Sequence, residues 1–273
     1  MKSSEVSRFK RRVLDLLELA LEPAWFVALL TWPKCSITSF RMVSVLARLG
    51  IAPRTIIDVG ANVGQFTVAA SKMLRPSTVH CFEPLPDCVS KLRANVRSLT
   101  DVHVHACAVG EEDGTCRMRV NCYSPSSSLL PLAEQHRSAF PGAEEVGCIN
   151  VEISTLDRVF GGANLELPVL LKIDVQGYEA AVLRGAQKLL KCVSHAVIET
   201  SLKPMYETEP VFMDIARFME HCGFRFAGTV GCLLHPVSGE MLQLDALFER
   251  CRPLKTRDGR RRREAFGDEG TIL

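Results

Sequence analysis

A chain of 273 residues is long enough for one generous α/β domain with a substantial core. Its 47% apolar and 23% charged residues describe an ordinary globule, and a net charge of +2 argues against nucleic acid as an obligate partner. The 11 cysteines are scattered, with no Cys-x-x-Cys pair and no Cys/His cluster at zinc spacing. That pattern points to free, mostly buried thiols in a reducing compartment, so a cytoplasmic location is expected.

At the amino terminus Lys2, Arg8, Lys10, Arg11 and Arg12 precede a hydrophobic region that Asp15, Glu18 and Glu22 interrupt, unlike the core of a secretory signal. The apolar island from Ala24 to Trp32, bracketed by Pro23 and Pro33, is too short to span a bilayer. Residues 4–21 predict an amphipathic helix, capped by Ser4, with Phe9, Val13, Leu16, Leu17 and Ala20 on one stripe. The favoured reading is that it packs on its own domain; the other is peripheral membrane contact through residues 4–32. Residues 1–35 are therefore read as an N-terminal helical extension. A second helix is expected from a Ser36 cap to about Leu49, stopping at Gly50.

The stretch from Thr55 to Thr67 then predicts a buried strand, a glycine-bearing turn and a helix. Ile56, Ile57 and Val59 supply the β-branched run, and Gly60 and Gly64 let the backbone turn and approach a ligand. Pro76 ends the helix. A strand from Ser77 to Phe82 follows and closes on Glu83, an acid about twenty positions past the turn, where nucleotide folds place a carboxylate on a ribose. The pattern Asp58-x-Gly60-x-x-x-Gly64 differs from the Gly-x-Gly-x-x-Gly of dinucleotide folds: Asn62 stands where a phosphate loop needs glycine. An acid leading in opposes a pyrophosphate but suits S-adenosylmethionine, which carries an ammonium, a sulfonium and a ribose. An NAD-linked oxidoreductase is disfavoured on the same grounds.

Beyond Glu83 a helix is expected over 86–96, then a strand over 102–109 ending at Gly110. Residues 115–150 read as an irregular, polar region with Ser124-Pro-Ser-Ser-Ser-Leu129 at its heart. A short strand over 151–153 and a short helix over 155–159 come next. The apolar run Pro168 to Ile173 predicts a fully buried strand ending in Asp174, with a helix over 178–190 after it. Ser194 to Ile198 predicts a strand ending in Glu199, followed by a helix over 211–222. Strands over 224–230 and 244–248 form a final antiparallel pair. Residues 252–273, with Arg260 to Arg263, lack apolar periodicity and read as a basic, disordered tail.

Strand and helix alternate almost throughout, which gives an α/β fold with a doubly wound sheet and an antiparallel strand at one edge. Ligands in such sheets sit beyond the carboxyl ends of the strands, and Asp58, Glu83, Asp174 and Glu199 all lie at those ends.

The block Lys172-Ile-Asp-Val-Gln-Gly-Tyr-Glu179 resembles the FkbM family of S-adenosylmethionine-dependent methyltransferases. Asp-Val-Gly-Ala-Asn-Val-Gly at 58–64, Phe-Glu-Pro at 82–84, Ser-Ser-Leu at 127–129 and Thr-Leu-Asp at 155–157 match in order, as do Gly-Ala at 185–186 and Leu-Phe-x-Arg at 247–250. The resemblance covers residues 36–251. It implies a class I methyltransferase domain, Rossmann-like, with a mostly parallel seven-stranded sheet, and methylation of a hydroxyl on a sugar, glycolipid or natural-product-like small molecule. The cofactor implied is S-adenosylmethionine.

Residue roles follow from that carry-over and from chemistry. Asp58, Gly60, Asn62 and Gly64 are expected to line the methionine moiety, with Asp58 taking the ammonium directly or through water. Glu83 is expected on the ribose hydroxyls, and Cys107 to Val109, with Ala108 at the centre, beside the adenine. Glu111 or Glu112 would read the adenine amine. Asp174 is the candidate base for the acceptor hydroxyl, with Lys172 paired to it or to Glu199. Ser127, Ser128 and Gln176 are candidate substrate contacts. Asp174 and Glu199 could hold a divalent metal, a variant that is not favoured because no histidine joins them in a ligand pattern. The alternative to an enzyme is a catalytically inactive Rossmann-like binding or scaffold module.

Overall fold

The computed structural model describes residues 36–121, 127–140, 145–235 and 237–251. The predicted helix over residues 4–21, the apolar island, the tail and Ser124 to Ser126 lie outside the described residues. Among the described residues no helix is long and apolar enough to cross a membrane.

Helix α1 (Ile37–Arg48) begins at Ser36, whose Oγ accepts from the Ser39 N–H, and ends before Gly50 at φ +74°. Strand β1 (Thr55–Val59) is buried along its whole length. Gly64, at φ +89°, opens helix α2 (Gln65–Met73). Strand β2 (Thr78–Phe82), helix α3 (Pro86–Val96) and strand β3 (Val102–His105) follow. Proline at the first turn of α3 suits a position whose N–H has no partner within the helix. After β3 come β4 (Ala108–Val109), β5 (Gly114–Asn121), the short helix α4 (Glu134–Ala139), β6 (Glu145–Ser154) and α5 (Leu156–Val159). Strand β7 (Val169–Ile173), α6 (Glu179–Arg184), a 3-10 turn (Leu189–Lys191), β8 (Val193–Ser201), α7 (Phe212–His221), β9 (Phe224–Leu234) and β10 (Met241–Arg250) complete the order.

Seven strands form one sheet in the order β3-β2-β1-β7-β8-β10-β9. All adjacent pairs up to β8 are parallel, and β10 runs antiparallel between β8 and β9. The sheet is covered on both faces. Ile56 and Leu170 join Phe40, Leu46 and Phe66 in one core, whereas Ile57 and Leu171 join Leu156, Val182 and Phe248 in the other. That double burial is why β1 and β7 read as continuous apolar runs rather than alternating ones. The class I methyltransferase architecture is therefore present, with the reversal of strand order at β1/β7 marking where a ligand sits.

Three expectations are corrected. The region 115–150 is not irregular throughout: β5 and β6 pair as a long hairpin with β4 against β6 in a second, three-stranded sheet. Its strands carry charged outward positions among Cys116, Met118, Val151 and Ile153, which hid the period from a reading that weighted the serines and prolines. The strand expected over 102–109 is split, since β3 belongs to the large sheet and β4 to the small one. The helix expected over 178–190 stops at Arg184, and the Gly185 carbonyl accepts from the Asp157 N–H at 2.9 Å instead of continuing the helical ladder. Asp157 then caps the next turn, accepting from the N–H groups of Lys188 and Leu189 at 2.8–2.9 Å.

Candidate active site

A cavity of about 910 Å³ opens at the carboxyl ends of β1, β2, β7 and β8. One end is lined by Gly60, Ala61, Asn62, Glu83, Leu85 and Ala108, the other by Lys172, Asp174, Gln176, Glu199, Gln243 and Asp245.

At the first end the chain leaves β1 in a turn with Gly60 at φ +80° and Asn62 at φ +49°. A Cβ on Gly60 would lie 1.8 Å from the Asp174 carbonyl oxygen, so only glycine allows the β1 turn to close on β7. Glu83 reaches back to this turn. Its Oε2 accepts from the Asn62 N–H and its Oε1 from the Leu85 N–H, both at 2.9 Å. A carboxylate offers about four lone-pair directions, so two remain for a ligand's hydroxyls. Burial pushes the Glu83 carboxyl up to about 7, against the pull of those two N–H groups.

The turn after β7 carries the second end. Lys172 is 5% exposed; its Nζ lies 3.1 Å from Asp174 Oδ2 and 3.5 Å from Asp58 Oδ1. Burial alone would ease the proton off Lys172, but Asp174 and Asp58 outweigh it and hold the ammonium charged. Burial would likewise raise Asp174, yet Lys172 and Gln176 keep it below the usual carboxylate range. The Asp174 side chain keeps 31% of its surface open. Gln176, at φ +58°, donates from Nε2 to Asp174 Oδ1 (2.8 Å) and to Glu199 Oε2 (2.6 Å), and accepts from the Tyr206 hydroxyl at 2.7 Å. Burial, then Asp174 and Asp245, hold Glu199 well above its ordinary value. Among the described residues no group of three or more His, Cys, Asp or Glu side chains could hold a metal ion. The Gln176 amide occupies the place between Asp174 and Glu199 that the metal variant would need.

Gly60, Asn62, Glu83, Ala108, Ser127, Lys172, Asp174 and Gln176 all line this cavity. Asp58 does not. It is fully buried, accepts from Thr67 Oγ1 at 2.7 Å and faces Lys172, so it positions that lysine rather than meeting a ligand's ammonium. Gly64 packs on Leu92, and Ser128 donates to the Gln176 carbonyl at 2.6 Å; both shape walls from behind. Neither Glu111 nor Glu112 lines the cavity, and Glu111 pairs with Arg184. Glu179, buried, accepts from the Val175 and Gly177 N–H groups and ties down the β7 turn. Sequence reasoning missed His136, Gln243, Asp245 and the start of α1, where Ser36, Ser39 and Met42 face the cavity, and it missed Tyr206, which stands behind Gln176. For Asp245 a signal existed: an acid inside the apolar run Leu242 to Phe248.

Residues 58–226 match the methyltransferase FkbM domain. The chain belongs to that family. The match contains the Gly60 turn, Glu83 and the Lys172–Gln176 turn, but neither α1 nor β10. Among curated proteins, the chain is 30% identical over 142 residues to Methyltransferase 1 of Beauveria bassiana, covering 48% of this chain and 57% of that protein. It is 31% identical over 156 residues to the 31-O-demethyl-FK506 methyltransferase FkbM of Streptomyces tacrolimicus, covering 48% and 59%. The aligned part thus spans a little under three-fifths of these two FkbM-type relatives' length. A solved structure with distant likeness is the 1,6-didemethyltoxoflavin-N1-methyltransferase of Burkholderia thailandensis (10% identity, 90% of each chain, TM-score 0.44).

The cavity fits the family's S-adenosylmethionine in two respects: a glycine turn that a Cβ would close, and a buried carboxylate with spare lone pairs at ribose distance from it along the chain.

Proposed function

We propose that this chain is an S-adenosylmethionine-dependent methyltransferase acting on the hydroxyl of a sugar, glycolipid or other natural-product-like acceptor. The observation that carries the reading is the meeting, in one cavity, of Glu83 at the Gly60 turn with the Lys172–Asp174 pair at the β7 turn. The name of the Streptomyces relative, 31-O-demethyl-FK506 methyltransferase, supports an oxygen acceptor.

When bound, the cofactor supplies a methyl carbon on a sulfonium, open to in-line attack. Glu83 holds the ribose through its two remaining lone-pair directions. Asn62 and Ala61 line the methionine side, and Leu85, Ala108 and Met118 the apolar adenine side. Asp174, ionised beside Lys172 and open to the cavity, takes the proton from the acceptor hydroxyl as the new bond forms. Lys172 keeps Asp174 charged and oriented, while Gln176 fixes its second oxygen. Holding the hydroxyl in line is itself a large part of the acceleration.

The test is calorimetric titration with S-adenosylhomocysteine, alongside NAD, in wild type and Glu83→Ala, followed by transfer of labelled methyl to a panel of glycans. Micromolar binding lost in Glu83→Ala, with NAD silent, is expected. Binding without transfer to any hydroxylated acceptor would favour the non-catalytic module instead.

A further inference from the structure

We infer that the acceptor end of the cavity contains a subsite for an organic cation, formed by Glu199 and Asp245 and completed by His136 and the Gln243 carbonyl. The inference rests on the methyltransferase reading above.

Glu199 and Asp245 lie opposite each other in register across β8 and β10, and both line the cavity. Neither makes an ion pair with a described lysine or arginine; the nearby cation, Lys172, is engaged by Asp58 and Asp174. The donors at this end are engaged as well. The Gln176 amide serves Asp174 and Glu199, the Tyr206 hydroxyl serves Gln176, and the Gln243 amide turns to Ser201 Oγ at 3.2 Å. What faces the space beside the α1 hydroxyls is a pair of carboxyl groups and an imidazole. His136 is 5% exposed, lines the cavity and has no hydrogen-bond partner at Nδ1. Its ring leans on Tyr206, with centroids 5.6 Å apart, which places it beside Gln176.

A wall with two carboxyl groups, whose neighbouring cation is already paired to Asp58 and Asp174, complements a ligand that brings a positive charge. Burial lifts Asp245 to about 6, and burial with the Asp174 charge beside it holds Glu199 well above its ordinary value, so a cation at this wall would favour the ionised form of both. The neighbouring strand makes room for the arrangement: a Cβ on Gly231 would meet Asp245 Oδ2 at 2.2 Å. Glu199 and His136 lie inside the family match at 58–226, whereas Gln243 and Asp245 lie beyond it.

Two cations have the required chemistry, the sulfonium of the cofactor and an ammonium on the acceptor. Calorimetry on the full chain separates them. S-adenosylmethionine and S-adenosylhomocysteine are titrated into wild type, Asp245→Asn and Gly231→Ala; glucosamine and glucose are then titrated into the S-adenosylhomocysteine-loaded proteins. A sulfonium at the subsite predicts that S-adenosylmethionine binds about tenfold more tightly than S-adenosylhomocysteine. That ratio falls toward one in Asp245→Asn, and part of the way in Gly231→Ala, which displaces the carboxylate without removing it. An acceptor ammonium predicts glucosamine binding where glucose is silent, again lost in Asp245→Asn. Should Asp245→Asn fail to fold, Gly231→Ala carries both comparisons. Equal affinity for the two cofactor forms, together with equal behaviour of the two sugars in wild type, overturns the subsite and leaves the methyltransferase reading standing. Failure of folded wild type to bind S-adenosylhomocysteine overturns that reading, and the sugar comparison on the unloaded chain then decides the subsite alone.

Discussion

The two ends of the cavity differ in where their residues come from. The cofactor end is drawn mainly from two short stretches, 59–62 and 82–85, with Ala108 beside them, and it works largely through backbone: the Gly60 turn touches the Asp174 carbonyl, and Glu83 is fixed by two main-chain N–H groups. The acceptor end gathers side chains from α1, from 127–140, from β7 and β8, and from β9 and β10. A backbone contact can change only together with both segments that make it. A side chain on a strand can be exchanged alone. The geometry therefore ties the donor end to main chain and rests the acceptor end on side chains; the family match contains the first end and, of the second, 127–140, β7 and β8 but neither α1 nor β10.

Gly60→Ala should break this comparison hardest, because it strikes a place where the two ends meet main chain to main chain. The added Cβ would sit 1.8 Å from the Asp174 oxygen at a φ of +80°, so both turns must shift. A loss of about 3 kcal/mol or more is expected, with S-adenosylhomocysteine binding abolished. Thermal unfolding and titration check this together; a variant with wild-type melting and affinity would show that the two turns are independent. Lys172→Met comes next. It strips Asp58, which has no accessible surface, of its only cation among the described residues. Removing one partner of a buried pair costs about 3–5 kcal/mol. Denaturant unfolding should show that loss, and Lys172→Met combined with Asp58→Asn should recover part of it.

The difference between the ends also explains what could be read before folding. The Gly60 turn, Glu83 and the Lys172–Gln176 block are contiguous, so their spacing announces them. The parallel order of β1, β2, β7 and β8 follows from apolar runs that are buried on both faces. The burial of Asp58 behind Lys172 is not legible, because its strand position is clear while the direction of its side chain is set by Thr67 and Lys172, one of which lies far along the chain. Asp245 and Gln243 reach the cavity only through the insertion of β10 beside β8, and Tyr206 reaches Gln176 only through the loop before α7, a topology no local pattern specifies. The β5–β6 hairpin was hidden because its strands alternate weakly, with arginines outside and few large apolar residues inside.

A pH series sharpens the contrast by separating binding from stability. Glu83 accepts hydroxyls as the carboxylate, and in the free protein it holds its proton up to about 7. Affinity for S-adenosylhomocysteine should therefore rise with pH and level off above 7, weakening by up to about tenfold per unit below it. Glu83→Gln should flatten the curve. Stability of the free protein should run the other way. Glu83 and Glu179, pushed up to about 7 and about 8, keep protons that the unfolded chain releases near its ordinary glutamate value. Their contribution is complete at low pH and is lost as pH rises through the folded values. Denaturant midpoints measured from pH 5 to 8.5 should fall on this account, and Glu179→Gln should reduce the slope. Parallel trends in affinity and stability would mean that Glu83 does not meet the ligand as a carboxylate.

The smallest effect belongs to Tyr206→Phe. The substitution keeps the packing of a fully buried ring and removes the hydroxyl that donates to Gln176 Oε1. One neutral hydrogen bond is worth about 1 kcal/mol, and the Gln176 carbonyl keeps some access to water through the cavity, so about that much stability should be lost. If the hydroxyl acts through Gln176, the double variant Tyr206→Phe/Gln176→Leu should be no less stable than Gln176→Leu alone, a non-additivity that denaturant unfolding resolves. S-adenosylhomocysteine affinity should stay within a factor of about two, since no described contact links Tyr206 to the Glu83 turn. A larger change in affinity would show that the two ends are mechanically joined through the β7 turn, and that the acceptor wall cannot vary without cost to the donor site.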